Sequence, residues 1–283
     1  MSITLSAAAV ARYEADGILW PHRALDPTQA QHMREAIDRF EKEEGFSAGT
    51  LHLKGHLCFT WSYELARSPA ILDVVEGVIG PNILVFASKF WIKQARDGTF
   101  VSWHQDSAYF GLDPHLQVTA WVALTDATVA NGCMRAIPGS HRGVAHRHVE
   151  TYDPKNLLGR GQRIDGIDES TAVDMPLACG EFSLHHEHVL HSSPPNQTDD
   201  ARIGLAFFYI PTHVRSTIGR RTAQLVRGRD DFGHWDPDPV PRFDRDPLIL
   251  AHMRAAHDRY LDRAVAQIAR TENAIDPGGG PRA

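Results

Sequence analysis

The sequence predicts an α+β fold in which helices flank a closed or double-sheet β core. Three observations support this prediction. Helical patterns occupy about residues 6–80, short β-branched and aromatic segments follow over about 82–212, and a helical pattern returns over about 247–274. No internal repeat or low-complexity linker divides the chain. We therefore expect residues 1–283 to form a single domain.

The first eighty residues carry three helix signals. Each predicted helix begins at a residue that can cap its free N–H groups, and each ends at a glycine. Proline at the first helical position strengthens the second and third signals. The start and stop pairs are Ser6 and Gly17, Asp26-Pro27 and Gly45, and Ser68-Pro69 and Gly80.

The central region is predicted to form short strands. In 117–125, apolar residues alternate with Thr119 and Trp121, which is typical of a strand with one face in a core. The polar segment 152–178 is long for a structureless loop and is expected to form a lid. The predicted strands are 83–92, 100–103, 117–125, 131–136, 182–186, 188–191 and 202–210.

Composition limits the classes of function. The net charge is −6 and no basic run occurs, so a nucleic-acid or anionic-membrane partner has no electrostatic support. No stretch approaches the roughly 20 apolar residues that span a bilayer. The three cysteines are few, widely spaced and odd in number, which indicates reduced thiols in a cytoplasmic protein.

Four polar residues suggest a metal centre with an organic co-substrate. His104 and Asp106 are two residues apart, so on a strand their side chains would share a face. With His191 they make two imidazoles and one carboxylate, the facial ligand set of non-haem Fe(II). Arg202 follows closely and begins an apolar strand, where a guanidinium needs a partner. It could bind a carboxylate through two parallel hydrogen bonds.

These motifs resemble the phytanoyl-CoA dioxygenase family of Fe(II)/2-oxoglutarate oxygenases. Trp103-His104-Gln105-Asp106 looks like the first iron motif of that family. His191-x-Ser193-x-x-Asn196, followed by Arg202, looks like the second. The segment 131–141, which contains Asn-Gly and Ile-Pro-Gly-Ser-His, and Tyr13-Glu-Ala-Asp-Gly17 also match. The resemblance covers about residues 6–212.

The resemblance implies a jelly-roll, cupin-like double-stranded β-helix with Fe(II) held by His104, Asp106 and His191. The co-substrates would be 2-oxoglutarate and O2, with succinate and CO2 released. Arg202 and Ser193 would bind the distal carboxylate of 2-oxoglutarate, and Lys93 and Trp121 match positions that line its site.

The retained carboxylate of Asp106 bears on the type of oxidation. Halogenating relatives carry Ala or Gly at that position, which frees a coordination site for chloride. Keeping Asp106 therefore favours hydroxylation, or a related oxidation, over halogenation.

A pocket for a small-molecule substrate is predicted beside the first motif. Aromatic side chains there could form its wall, and arginines of the 152–178 segment could pair with an anionic group. Core packing and solvated loop charge are the alternatives for the same residues. They are Trp91, Tyr109, Phe110, Arg160 and Arg163.

Two other classes of function remain open from the sequence. A cupin-like metalloenzyme could use His185, His186 or His188 and need no 2-oxoglutarate, but Arg202 would then have no role. A non-catalytic barrel could bind iron or a metabolite. The complete triad argues against that reading.

Overall fold

The structure is a computed structural model that describes residues 5–143 and 145–275, with side chains of the last helix described to residue 262. Within these ranges, α-helices and strands follow the predicted order. The helices are α1 (Ala7–Asp16), α2 (Pro27–Glu44), α3 (Gly55–Cys58), α4 (Thr60–Leu65), α5 (Pro69–Ile79), α6 (Ser107–Phe110) and α7 (Pro247–Ile275). None of them is both long and apolar enough to span a bilayer.

The strands form two main antiparallel sheets. The major sheet has the order β1-β8-β5-β10-β2-β12-β13, with only the β12-β13 pair parallel, and the minor sheet has the order β3-β9-β6-β7. A short β4-β11 pair stands apart. The strands are β1 (Ile18–Arg23), β2 (Ile83–Lys93), β3 (Val101–His104), β4 (Leu112–Asp113), β5 (Val118–Ala123), β6 (Met134–Ala136), β7 (Val173–Met175), β8 (Glu181–His186), β9 (His191–Ser193), β10 (Arg202–Pro211), β11 (Arg215–Ser216), β12 (Thr222–Arg227) and β13 (Asp236–Pro237).

The predicted helix ends are confirmed. Ser6 accepts a hydrogen bond from the Ala9 N–H, and Asp26 forms a reciprocal capping box with Gln29. Gly17 and Gly45 close α1 and α2 in the left-handed conformation, where a side chain would be strained. The C-terminal helical pattern is likewise realised in α7. The glycine-rich stretch predicted to fray, 278–281, lies outside the described residues.

The prediction missed some elements and misplaced another. β1 interrupts the region expected to be helical and forms the edge of the major sheet by pairing with β8. The chain turns at residues 187–189 and is irregular at residue 190, so the strand expected at 188–191 begins only at His191. No predicted element corresponds to α3, α4, α6, β4, β7 or β11–β13. All of these except α4 and β12 are four residues or shorter, which is too short for a periodic pattern.

The alternation of β5 separates two environments. Val118, Ala120 and Val122 pack in the core against helices, together with Ile37 and Phe40 of α2. On the opposite face, Trp121 and Ala123 belong to a second apolar cluster. This opposite face points toward the minor sheet, and the space between the two sheets holds the cavity described below.

The α3 segment contributes a buried histidine whose protonation in the folded protein is energetically unfavourable. His56 is fully buried, and its ring Nδ1 lies 2.8 Å from the Ser88 hydroxyl of β2. Burial lowers the pKa of His56 to about 3, and the nearby charge of Lys54 adds to the effect while Asp238 opposes it. His252 acts in the same direction as Lys54.

We expect acid to destabilise the fold partly through His56. Its folded pKa lies below the ordinary value, so between about pH 6.5 and 3 the unfolded chain binds a proton that the folded chain excludes. The free energy of unfolding should therefore fall as pH drops through that window. In His56→Gln the slope between pH 5.5 and 4 should be shallower by up to ~1.4 kcal/mol per pH unit.

Urea unfolding at several pH values measures this slope. His32→Gln is the matched control, because His32 is exposed on α2. Equal slopes for the wild type and His56→Gln would contradict the assignment.

Candidate active site

Two histidines face each other across a strand pair. β3 and β9 are antiparallel neighbours in which His104 and His191 are direct register partners. Their ring centroids are 4.0 Å apart, and both side chains are buried. The backbone ladder therefore holds two imidazoles together without help from a longer loop.

Each imidazole has one nitrogen bound to the backbone and one nitrogen free. Nδ1 of His104 lies 2.9 Å from the Ser102 carbonyl, and Nδ1 of His191 lies 2.9 Å from the Val189 carbonyl. A carbonyl only accepts, so each Nδ1 must carry the proton and each Nε2 presents a lone pair. Burial, with the charges of His104 and His185, holds the pKa of His191 well below its usual range, which favours the neutral form that binds metals.

Asp106 completes the group from a turn rather than from a strand. β3 ends at His104, and Asp106 has helical backbone angles immediately before α6. The expectation that two-residue spacing on a strand would align the two side chains is therefore wrong. The turn after β3 brings the carboxylate back toward the imidazoles.

The two carboxylate oxygens of Asp106 have separate partners. Oδ2 accepts hydrogen bonds from Thr119 Oγ1 at 2.9 Å and Gln117 Nε2 at 3.4 Å. Oδ1 lies 3.6 Å from His104 Nε2 and 3.9 Å from His191 Nε2, beyond good hydrogen-bond distance. Burial alone would raise the pKa of Asp106, but the neighbouring histidines hold it well below its usual range.

The geometry fits a metal ion. The donor atoms of His104, Asp106 and His191 all lie within 4.8 Å of one another and converge without bonding to each other. Two neutral imidazoles and one ionised carboxylate are the facial set that suits Fe(II) and leaves coordination positions open. The backbone and Thr119 bonds orient these donors as outer partners do in metal sites.

A buried cation lies in the same cavity. Arg202 opens β10 and is 2% exposed, yet none of the described residues gives it a carboxylate partner. Its Nη1 donates to the Gly132 carbonyl at 3.2 Å, its Nε has no partner, and the guanidinium lies 5.1 Å from the Trp121 ring centre. Burial lowers the pKa of Arg202 to about 10, so the charge persists at neutral pH.

The Gly132 carbonyl organises the polar end of this cavity. It accepts from Arg202, from Ser193 Oγ at 2.7 Å and, at 3.5 Å, from Lys93 Nζ. Lys93 also contacts Ser193 Oγ and the Pro194 carbonyl. Ser193 and Trp121 line the cavity, whereas Lys93 lies behind it. Burial, with the charge of Arg202, lowers the pKa of Lys93 to about 6.

The space beside Gly204 on β10 is filled by a neighbouring side chain and is not open to a ligand. Gly204 lies two residues after Arg202 on the same face of the strand, so from the sequence we expect it to leave room for a ligand. In the structure, a Cβ at Gly204 would lie 1.9 Å from Trp121 Cζ2, so the indole already fills that room. Ala206 and Phe208, on the same face, do line the cavity.

A second cavity meets the first at the candidate metal ligands. His104, Asp106, Trp91 and Phe208 line both cavities. Of the predicted pocket residues, Tyr109, Phe110 and Arg160 also line the second cavity. The metal centre therefore stands between a cavity that contains Arg202 and a cavity that is mostly apolar.

The arginines of the 152–178 segment are already paired. Arg160 Nε lies 2.6 Å from Glu150 Oε1. Arg163 is exposed, pairs with Asp165 at 2.8 Å and does not belong to the residues that line the cavity. The expectation that Arg163 faces the pocket is therefore wrong, since its position in the loop turns it to solvent.

Several residues of the site were not singled out from the sequence. Thr119 and Gln117 bind Asp106, and the alternating pattern of β5 gave the only signal, by setting Thr119 on the face opposite the core. His185 lines the first cavity with Nε2 3.5 Å from Asp106 Oδ2. The sequence indicates a role for His185 only in the alternative without 2-oxoglutarate.

The C-terminal helix also reaches the site. His257, Tyr260 and Leu261 of α7 line the second cavity, and the Tyr260 hydroxyl donates to the Tyr109 carbonyl at 2.8 Å. No short motif marks these residues. Their role depends on how α7 packs through Ile249 in the core.

Comparison with known proteins agrees with this geometry. The family model described as phytanoyl-CoA dioxygenase (PhyH) matches residues 13–204. A non-heme monooxygenase, ThoJ in its apo form, superposes with a TM-score of 0.81 at 35% identity, covering 93% of this chain and 99% of that one. The predicted jelly-roll core is thereby confirmed.

Two curated relatives carry named activities. The chain is 32% identical over 188 residues to a probable alpha-ketoglutarate-dependent hypophosphite dioxygenase of Stutzerimonas stutzeri, covering 64% of each chain. It is 27% identical over 233 residues to L-proline trans-4-hydroxylase of Streptomyces griseoviridis, covering 71% of this chain and 85% of that one. Matches to the first curated relatives span about half to two thirds of their length.

The unpaired guanidinium should cost stability when no anion is bound. We expect Arg202→Met to raise the free energy of unfolding of the ligand-free protein by about 1–3 kcal/mol, because an uncompensated buried charge is removed. Arg227→Met is the contrasting control, since Arg227 pairs with Asp73 and Glu76 at 2.7 Å each. It should lower stability. Urea unfolding measures both, and an equal loss in the two variants would contradict the assignment.

Proposed function

Because the chain belongs to the phytanoyl-CoA dioxygenase family of Fe(II)- and 2-oxoglutarate-dependent oxygenases, we propose that it hydroxylates, or otherwise oxidises, a small molecule. Fe(II) and 2-oxoglutarate together supply O2 activation, with release of succinate and CO2. The substrate would occupy the second cavity.

The observation that carries this proposal is the buried Arg202 in the cavity that also holds the triad. A protonated guanidinium in an apolar setting needs an anion, and a dicarboxylate can supply one end to Arg202 while its other end binds the metal. The alternative of a metalloenzyme without 2-oxoglutarate would leave this charge uncompensated.

The polar end of the first cavity suits a carboxylate. Arg202 keeps an Nε–H without a partner, and Ser193 offers a hydroxyl beside it. Trp121 holds the guanidinium plane through its ring face. Lys93 acts indirectly on this site. It contacts Ser193 and the Gly132 carbonyl, and these groups orient Arg202.

The triad supports hydroxylation over halogenation. His104, Asp106 and His191 would each give one donor atom to Fe(II), so the Asp106 carboxylate takes the position that a chloride would need. Thr119 and Gln117 hold its other oxygen, and the low pKa keeps it ionised.

The second cavity suggests an anionic substrate group. Lys89 lines this cavity with its ammonium 4.0 Å from the Trp91 ring centre. Nζ donates to the Leu157 carbonyl, and in the described part of the chain it has no carboxylate partner. Burial lowers the pKa of Lys89 to about 8. Hypophosphite and proline, in the names of the two relatives, both carry an anionic group.

The reaction class predicts a spectroscopic signature. Anaerobic addition of Fe(II) and then 2-oxoglutarate to the apo-protein should produce a visible charge-transfer band. Arg202→Met should weaken 2-oxoglutarate binding at least about 100-fold while iron binding stays within about threefold, since a charge-assisted hydrogen-bond pair is lost away from the metal. Titrating the band measures both constants.

The variants make the result decisive. Arg227→Met, which alters a guanidinium outside the cavity, should leave the band unchanged. Asp106→Ala should abolish succinate release coupled to substrate oxidation. No band from iron-loaded wild type, or equal loss of iron and 2-oxoglutarate in Arg202→Met, would contradict the proposal.

The charge of Lys89 predicts a preference for acids over amides. In a panel of small carboxylic acids and their primary amides, acids should stimulate succinate release at least about tenfold more, because one charge-assisted hydrogen bond is worth about 1.5–3 kcal/mol. Lys89→Met should reduce this ratio to about one. Lys155→Met, on an exposed loop, should leave it unchanged. Wild-type protein that treats acids and amides alike would refute the role of Lys89.

A further inference from the structure

A second group of ligand-type side chains lies near the end of β8. His115 belongs to the loop between β4 and β5, and Glu187 and His188 belong to the turn between β8 and β9. One potential ligand atom from each of the three lies within 4.8 Å of the others. We propose that His115, Glu187 and His188 bind one divalent transition-metal ion, separate from the catalytic centre.

The carboxylate of Glu187 needs a positive partner. Its side chain is fully buried. Oε1 accepts from the Gln117 backbone N–H at 3.0 Å, and Oε2 lies 3.3 Å from His115 Nδ1. Across the described ranges, no lysine or arginine lies within ion-pair distance of it. A buried carboxylate that has only an imidazole, and no permanent cation, beside it is costly, and a metal ion would supply positive charge.

The distances suit a small ion with nitrogen and oxygen ligands. Ligands about 2.0–2.1 Å from a tetrahedral ion are about 3.3 Å from each other. The separation of His115 Nδ1 from Glu187 Oε2 is 3.3 Å. The rings of His115 and His188 have centroids 4.6 Å apart and planes tilted by 45°, so they converge without stacking face to face.

The types of ligand and the exposure of His115 indicate which ions this group can bind. Two imidazoles with one carboxylate favour Zn²⁺, Ni²⁺ or Cu²⁺ over Ca²⁺ or Mg²⁺, which prefer oxygen ligands. The side chain of His115 is 49% exposed, so an ion can enter from solvent and keep a water ligand. The rings of His186 and His141 continue the row at successive centroid distances of 5.5 and 5.4 Å.

This site shares no ligand with the catalytic triad. Gln117 connects the two groups, since its backbone N–H binds Glu187 and its side-chain amide donates to Asp106 at 3.4 Å. Metal binding at the second group can therefore be removed without removing a donor from the first. The inference does not depend on the proposed oxidation.

Titration with Zn²⁺ alone tests the proposal. In a His104→Ala/His191→Ala background, calorimetry should still detect one bound equivalent, and adding His188→Ala should weaken it by at least about 100-fold. In otherwise wild-type protein, His115→Ala should bind one equivalent fewer than the parent. His32→Ala, which changes an exposed histidine of α2, should bind as the parent does.

The outcomes separate this site from the catalytic one. The charge-transfer band with Fe(II) and 2-oxoglutarate should persist in His115→Ala, which also verifies that the variant is folded. If His115→Ala binds as many Zn²⁺ equivalents as the parent, or if the triad-deficient background binds none, the proposal is overturned. Absence of the band with retained binding at this group would count against the oxygenase function alone.

Discussion

The antiparallel pairing of β3 with β9 is the constraint on which the active site depends. Because His104 and His191 are opposite each other in that ladder, the backbone fixes the distance between two imidazoles. A shift of one residue in either strand would turn that strand's imidazole to the other face of the sheet and separate the two rings. β9 then continues to Ser193, which meets Arg202 through the Gly132 carbonyl. The same pairing thus relates the metal end of the cavity to its polar end.

The buried cations inside and outside the cavity differ in whether a carboxylate pairs with them. Away from the cavity, the buried cation Lys54 has a buried anionic partner, because its ammonium lies 2.7 Å from Asp238. Inside the cavity, Arg202 keeps its charge with only a carbonyl and an indole face as neighbours. Such an arrangement sacrifices stability of the free protein and favours association with an anion. Arg202 can accept an anionic partner, just as the facial triad leaves coordination positions on the metal open to a ligand.

The sequence predicts the parts of the fold that depend on interactions between residues close together in the chain. Helix ends followed capping chemistry, and the faces of β5 followed the two-residue period. Prediction failed where tertiary contacts decide. β1 is held by its pairing with β8, Asp106 reaches the imidazoles through a turn, and Trp121 fills the space beside Gly204. Neither the hydrophobic periodicity of the sequence nor the β-propensity of its residues predicts those contacts.

The position of α7 has a consequence for how this chain can change. The ligands and Arg202 lie within 13–204, the part that matches the family model, whereas His257, Tyr260 and Leu261 come from beyond it. The metal ligands and part of the wall of the second cavity are thus encoded by different segments of the chain. Mutation or exchange of the C-terminal segment can reshape that wall while every donor atom stays in place. Under the proposed function, such a division would let the same oxidative chemistry act on different substrates when the C-terminal segment changes.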